Sequence, residues 1–360
     1  MLKQLRNLPK DFILKFFKNK SKAIFFFSAF LVLVFVALLS LKYGAINISG
    51  QKIADIILYH LGIGVEQYWD RTEDLIIWEL RLPRAILALF AGAALTVSGV
   101  AMQAAVKNPL ADPYILGISA GASAGATAVI AADLLDITAE YSVSIGAFTG
   151  ASLSLLILFF LNKNNNDSVR LLLSGCVISI LFSSFSSIII FLAKDKDKIS
   201  NVLFWLMGSI ADANWTMVPL VISIVIIGIL ILMLYARQLN AMLIGVETAH
   251  TLGVNTRQLK WQLIFIVAVM IGVIVAFCGM IGFIGFVIPH IVRSLFGANH
   301  KFVIPISAFC GSVFLLCCDM VARTIVAPEE LPIGIITSVI GAPFFIYILQ
   351  RRKYTFGSRK

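Results

Sequence analysis

Charge is what this sequence has least of. Only 13% of its 360 residues are Asp, Glu, Lys or Arg, about half the share of an ordinary soluble domain. Histidine is scarce as well: His60, His250, His290 and His300 are scattered, and no H-E-x-x-H occurs. That excludes the familiar zinc helix, and no metal or cofactor is expected. The five cysteines (Cys176, Cys278, Cys310, Cys317, Cys318) all fall in apolar stretches and lack metal-ligand spacing. They read as small packing residues. No G-x-x-x-x-G-K-[ST] phosphate cradle is present, so ATP chemistry would have to reside on another polypeptide, and the chain is not expected to be an enzyme. No repeat of fixed period is visible.

What is present is apolar sequence, 59% of the chain, with a mean hydropathy of +0.95. Apolar stretches of membrane-crossing length recur from residue 23 to residue 350, which places the protein in a bilayer. Ten spans are predicted, at 23–41, 83–106, 113–132, 141–161, 170–193, 215–236, 261–278, 280–297, 302–322 and 332–350. With no water in the lipid interior, every backbone N–H and C=O needs an internal partner, so the spans should be helices. The alternating ten-residue strands of a β-barrel are not seen. The expected organisation is a basic tail (1–22), an all-α transmembrane domain (23–350) and a second basic tail (351–360).

Basic residues set the orientation. With the N-terminus inside, the inner segments hold 20 of the 29 lysines and arginines but only 4 of the 19 acids. This satisfies the positive-inside bias and puts both termini in the cytoplasm. The basic balance then reports topology and contact with anionic lipid headgroups rather than nucleic acid. The opening "MLKQLRNLPKDFILKFFKNKSK" has the charge of a signal-peptide head but no clear cleavage site after it, so a retained first span is expected.

Two loops stand out. The outer segment 42–82 is long enough for a short helix lying on the membrane. The inner loop 237–260, "RQLNAMLIGVETAHTLGVNTRQLK", is too polar to span. Met242, Leu243, Val246, Leu252 and Val254 give it an apolar face between glycines. Small residues are concentrated at 91–103 and 117–128, where Gly117, Gly121 and Gly125 stand four apart and should let helices approach closely. In "GMIGFIGFVIPHIVR" (279–293) glycines recur every third residue. They read as the outer start of the eighth span, serving either close packing or a smooth conduit wall. Pro289 loosens that helix, and His290 and Arg293 reach its inner end.

Two chemistries compete with a passive conduit. "GISAG" (117–121) is a formal G-x-S-x-G, and Ser119 with His290 would be the pair for an intramembrane serine protease. The soluble motif, however, needs a strand–turn–helix elbow that a membrane span cannot supply. An ion-coupled secondary carrier would need ionisable groups near the bilayer midplane. The one intramembrane acid–base pair, Asp319 and Arg323, lies near the outer end of its span, four residues apart, where the two can neutralise each other.

Several strings together resemble a known family: "RLPRAILALFAGAALTVSGVAMQAAVKNPLADPYILGISAGASAG" (81–125), "WLMGSI" (205–210), "LGVNTRQLKW" (252–261), "GFIGFVIPHIVR" (282–293) and "ELPIGIITSVIGAPFFIYIL" (330–349). They look like the FecCD/BtuC-type permeases, the membrane subunits of type II ABC importers for iron chelates, haem and cobalamin. The likeness runs from about residue 71 to 350. It implies a ten-helix subunit paired with a second permease subunit as a homodimer or close heterodimer. Two cytoplasmic ATPases and an extracytoplasmic substrate-binding protein would complete the importer in a bacterial inner membrane. Carried onto this sequence, it implies that Arg81, Arg84 and Arg323 dock acids of the binding protein, a task suited to the planar guanidinium. It implies ATPase coupling through 237–260, with Gly245, Val246, Glu247, Leu252 and Gly253 at the contact. It also implies an inner constriction at Leu110, Ser168 and Val169, beside a turn stiffened by Pro109 and Pro113. The cargo expected on family frequency is a ferric siderophore, then haem, then cobalamin.

Overall fold

A helix stands at each of the ten predicted spans. The computed structural model describes residues 19–44, 46–64, 66–132, 139–163 and 167–351. Most of the N-terminal tail and nearly all of the C-terminal one therefore lie outside the described residues. The first helix, α1 (Asn19–Lys42), is followed by α2 (Gly50–His60), capped by the Ser49 hydroxyl, which accepts from the Lys52 N–H. This is the short surface helix expected in the segment 42–82. The rest of that segment does something else. A single rod of 36 residues runs from Arg71 to Val106, comprising α3 (Arg71–Leu75), a π-helical stretch (Ile76–Arg81) and α4 (Leu82–Val106). Pro83 explains the wider winding before it. A proline has no N–H to give and its ring crowds the carbonyl four residues back, so the ladder relaxes there rather than breaking.

The chain continues through a 3₁₀ turn (Pro113–Leu116) into α5 (Ile118–Ala132), then α6 (Ala139–Asn162), α7 (Ser168–Leu192) and α8 (Lys196–Leu206). Next come α9 (Val218–Leu234), α10 (Ala236–Ile244), α11 (Val246–Thr251), α12 (Thr256–Cys278), α13 (Ile284–Phe296), α14 (His300–Thr324) and α15 (Ile333–Arg351). Among the described residues five helices are long and apolar enough to cross a membrane, and α9 with α10 passes the same test only as a pair, bent by 51° between them. Shorter apolar helices occupy the four remaining predicted spans.

Two expected boundaries move. The third span starts at Ile118 rather than 113, because Gly117 turns with φ 82° between the 3₁₀ turn and α5. The eighth starts at Ile284 rather than 280. Residues 279–283 form a break, with Gly279 at φ 64° and Phe283 at φ 68°, so Gly279 and Gly282 do not begin a helix. The break belongs to a junction with the loop after α8, where Ser209 N–H donates to Cys278 O at 2.9 Å.

The rod is the core. In its most apolar stretch 83% of residues are buried, and α4 packs against α14, α12, α13 and α9. Since lipid tails are as apolar as leucine, close backbone approach has to supply the attraction that water supplies elsewhere. A methyl group at Gly92 would strike the Gly311 carbonyl, and one at Gly99 the Gly285 carbonyl. The same device joins α5 to α6, Gly121 on Gly150 and Gly125 on Gly146. Of the glycines in the 279–293 stretch, Gly285 therefore packs, whereas nothing lies within 4 Å of a side chain at Gly282. By contrast α7 is only 22% buried, exposing Val177, Ile180, Phe185 and Phe191.

Candidate functional site

At the predicted outer end three arginines and two acids form one cluster. Arg81 ends the π-helical stretch and points at the frayed end of α1. It donates to Leu41 O at 2.7 Å and Lys42 O at 3.2 Å, carbonyls that the end of α1 leaves unpaired, and to Ile46 O in the loop that follows. One turn on, Arg84 gives its Nε to Asp319 Oδ1 at 2.8 Å and its Nη1 to Glu330 Oε2 at 2.7 Å. Arg323 pairs with the other oxygen of Asp319 at 2.9 Å and bonds Ser40 Oγ at 2.8 Å. Asp319 has no exposure at all, and Arg81, Arg84 and Arg323 keep only 7%, 8% and 5%. Each of the three is thus turned inward onto a partner in the same chain. The pairing of Asp319 with Arg323 follows from their spacing of four. The bonds from Arg84 link residues 235 and 246 positions apart, which no local pattern could reveal. Ser40 and Glu330 are partners that the sequence reading missed.

The opposite end carries the loop 107–112 and the start of α7. Leu110 is half-buried, its N–H held by Asn108 Oδ1 at 2.9 Å. Asp112 caps the 3₁₀ turn through Tyr114 N–H at 2.8 Å, and burial pushes its carboxyl up to about 6. That turn lies on α7, where the backbone of Ile115 leaves no room for a side chain at Gly175. Ser168 is the first residue of α7 and accepts from Lys260 Nζ at 3.4 Å. Val169 is 62% exposed. The 3₁₀ turn that follows the loop thus packs on α7 seven residues beyond Ser168, and no described hydrogen bond joins Leu110 to Ser168 or Val169. Arg293 clamps α13 to α4 by donating to Gln103 Oε1 and to Val100 O. Ser119 is the second residue of α5 and buried, while His290 sits half-buried midway along α13.

The segment 237–260 is two short helices, α10 and α11, hinged at Gly245 (φ 150°) and ended at Gly253 (φ 81°). Asn255 then caps α12 by accepting from the Gln258 N–H at 3.0 Å. The segment is fastened to α14 by Asn240, whose Oδ1 accepts from His300 N–H at 2.8 Å and whose Nδ2 donates to Asn299 at 2.9 Å. Its apolar residues divide. Leu239, Met242 and Ala249 are buried in the body, while Leu243, Ile244, Val246 and Leu252 are 50%, 72%, 37% and 64% exposed. Met242 therefore leaves the expected outward face and Ile244, which the sequence reading passed over, joins it. Glu247 is exposed beside Val246. A cavity of about 520 Å³ opens between Tyr235, Gln238 and Leu252–Asn255. Among the described residues no three His, Cys, Asp or Glu side chains are grouped to hold a metal.

This arrangement has counterparts. The model of the FecCD transport family matches residues 32–351. The chain belongs to that family. FecCD relatives cover nearly all of it. The hemin transport system permease protein HmuU of Yersinia pestis is 37% identical over 330 residues, 90% of this chain and 94% of that protein. The Fe(3+)-citrate import system permease protein YfmD of Bacillus subtilis is 36% identical over 336 residues, 93% and 96%. A solved structure of an ABC transporter in an inward-facing conformation superposes with a TM-score of 0.79 at 31% identity, covering 91% of this chain and 98% of that one. The fold is the all-helical one of type II ABC importer permeases, and the resemblance read from the five sequence strings is correct at the level of the family.

Proposed function

We propose that this FecCD permease carries an iron chelate inward across the bacterial cytoplasmic membrane, with both termini in the cytoplasm. A ferric siderophore ranks ahead of haem and cobalamin as cargo. A second permease subunit completes the path, two ATPase subunits drive it, and an extracytoplasmic binding protein feeds it. The observation that carries this reading is the exposed edge Leu243, Ile244, Val246 and Leu252. It is an apolar patch that straddles the Gly245 hinge at the far end of the bent α9–α10 pair, within a segment that also carries polar and charged residues. A cleft on an ATPase is the partner that such a patch fits, and Gly245, Val246, Glu247, Leu252 and Gly253 are its coupling contacts. The names of the relatives, which concern hemin and ferric citrate, support the class of cargo.

Docking of the binding protein is assigned to the arginine cluster, with a division of labour. Arg81 and Arg323 brace the mouth from within. Arg84 shares its guanidinium with Glu330, whose side chain is 40% exposed, and an acid of the binding protein can replace that carboxylate. Leu110, Ser168 and Val169 narrow the inner exit, facing their counterparts on the second subunit. Each ligand then moves the importer only by favouring one arrangement of the helices over the other. Vesicles holding the permease, its ATPase and its binding protein should take up the chelate only with ATP inside. Uptake without ATP, driven by an ion gradient, would replace this reading with a secondary carrier.

A further inference from the structure

A cavity of about 540 Å³ lies between the end of α6 and the start of α12, lined by Phe159, Lys163, Arg257, Gln258, Trp261 and Phe265 among others. Its charged lining is of one sign. Neither Lys163 nor Arg257 has an acidic partner among the described residues, and the Arg257 guanidinium donates to the Lys163 carbonyl instead. That bond holds the Arg257 guanidinium against the turn residue that follows α6, whose own side chain lines the same cavity. The two charges also stand at the positive, N-terminal end of α12, a 23-residue helix, where an anion is favoured. Below them the lining turns aromatic. Trp261 and Phe159 meet edge to face at 5.3 Å, and Phe159 and Phe265 are 42% and 62% exposed. Phe265 is eight residues beyond Arg257, about 12 Å further along the helix. The indole N–H of Trp261 has no partner among the described residues, as suits a ring at the boundary between headgroups and tails.

We infer that this cleft is a binding site for one anionic phospholipid of the inner leaflet. Lys163 and Arg257 hold the phosphate, Gln258 and the Trp261 indole hydrogen-bond the headgroup, and Phe159 and Phe265 carry the first segments of the acyl chains. Basic clefts between helices on this side of a membrane suit such headgroups. The inference does not depend on the cargo or on the ATPase.

The test uses the full chain in nanodiscs, probed by native mass spectrometry after a titration with phosphatidylglycerol in a phosphatidylcholine background. The wild type should retain one phosphatidylglycerol. K163Q/R257Q should bind it roughly 30-fold more weakly, each interfacial cation contributing about five-fold. K163R/R257K keeps both charges and should retain the lipid, which separates loss of charge from loss of fold. Equal retention by wild type and K163Q/R257Q would overturn the site, as would displacement of the lipid by millimolar inorganic phosphate, which would make it a site for the free anion. If the neutral variant keeps its lipid but fails to bind the ATPase, the cleft belongs to that interface and the proposal falls.

Discussion

The two ends of the molecule solve opposite problems with opposite chemistry. At the predicted outer end, ionised groups sit in the interior and are closed on one another: two acids answer Arg84 and Arg323, and backbone carbonyls answer Arg81. At the other end, apolar groups stand in the open on α10, α11 and the turn that follows, fastened at the back through Asn240. A buried charge network fixes geometry, because any member that leaves strands its partners in a place of low dielectric. An exposed apolar edge fixes nothing until something covers it. The arginine cluster is therefore already closed within the chain itself, while the apolar edge of α10 and α11 is left uncovered by it.

That contrast can be broken by substitution. The largest loss of stability should come from Asp319→Asn, which leaves two guanidiniums buried with half their counter-charge. A cost of about 3–5 kcal/mol is expected, measured as the shift in thermal unfolding of the purified protein. A change below about 1 kcal/mol would mean that the network is not closed as described. Arg81→Gln follows at about 1–3 kcal/mol, the loss of charge-assisted bonds to three carbonyls. Its effect should persist at high salt, since screening does not reach buried groups. Gly253→Ala should cost about 1–2 kcal/mol through its positive φ alone, as nothing lies within 4 Å of the added carbon. Glu330→Gln should cost under about 1 kcal/mol, because its partly exposed carboxylate is screened. Its sharper readout is tighter capture of the binding protein, because the incoming acid no longer has to displace the Glu330 carboxylate from Arg84, and weaker capture would remove the docking assignment. Replacing Ile244 and Leu252 together by Asp should alter stability by no more than about 0.5 kcal/mol, yet reduce co-purification of the ATPase at least tenfold. Unchanged co-purification would remove the coupling assignment.

Much of this architecture can be read from residue order. Apolar runs locate the helices because lipid enforces internal hydrogen bonding, and the glycines at 121 and 125 announce the contact that they make. One failure arises because a break in apolar sequence leaves no polar trace. Residues 279–283 are as greasy as their neighbours, and Gly279 with its positive φ hints that the helix stops, the carbonyl before it, Cys278 O, being taken up by Ser209 in the loop after α8. Helix α8 itself escaped because it is short and begins with charges. The long rod was underestimated for the converse reason, since "RTEDLIIWELR" mixes charge with apolar residues and its π turn has no sequence signature beyond the proline that follows. The inward orientation of the three arginines depends on Ser40, Leu41, Asp319 and Glu330, which no local pattern connects to Arg81 and Arg84.

Gly92 on Gly311 and Gly99 on Gly285 have a mechanical consequence. Where two helices touch backbone to backbone, no side chain is left between them to bend or swivel. A slide of even one residue would drive a Cβ or a carbonyl into the neighbour's main chain. The rod, α13 and α14 are thereby held as one block, and any sliding of helices past one another has to take place at contacts that do not run backbone to backbone.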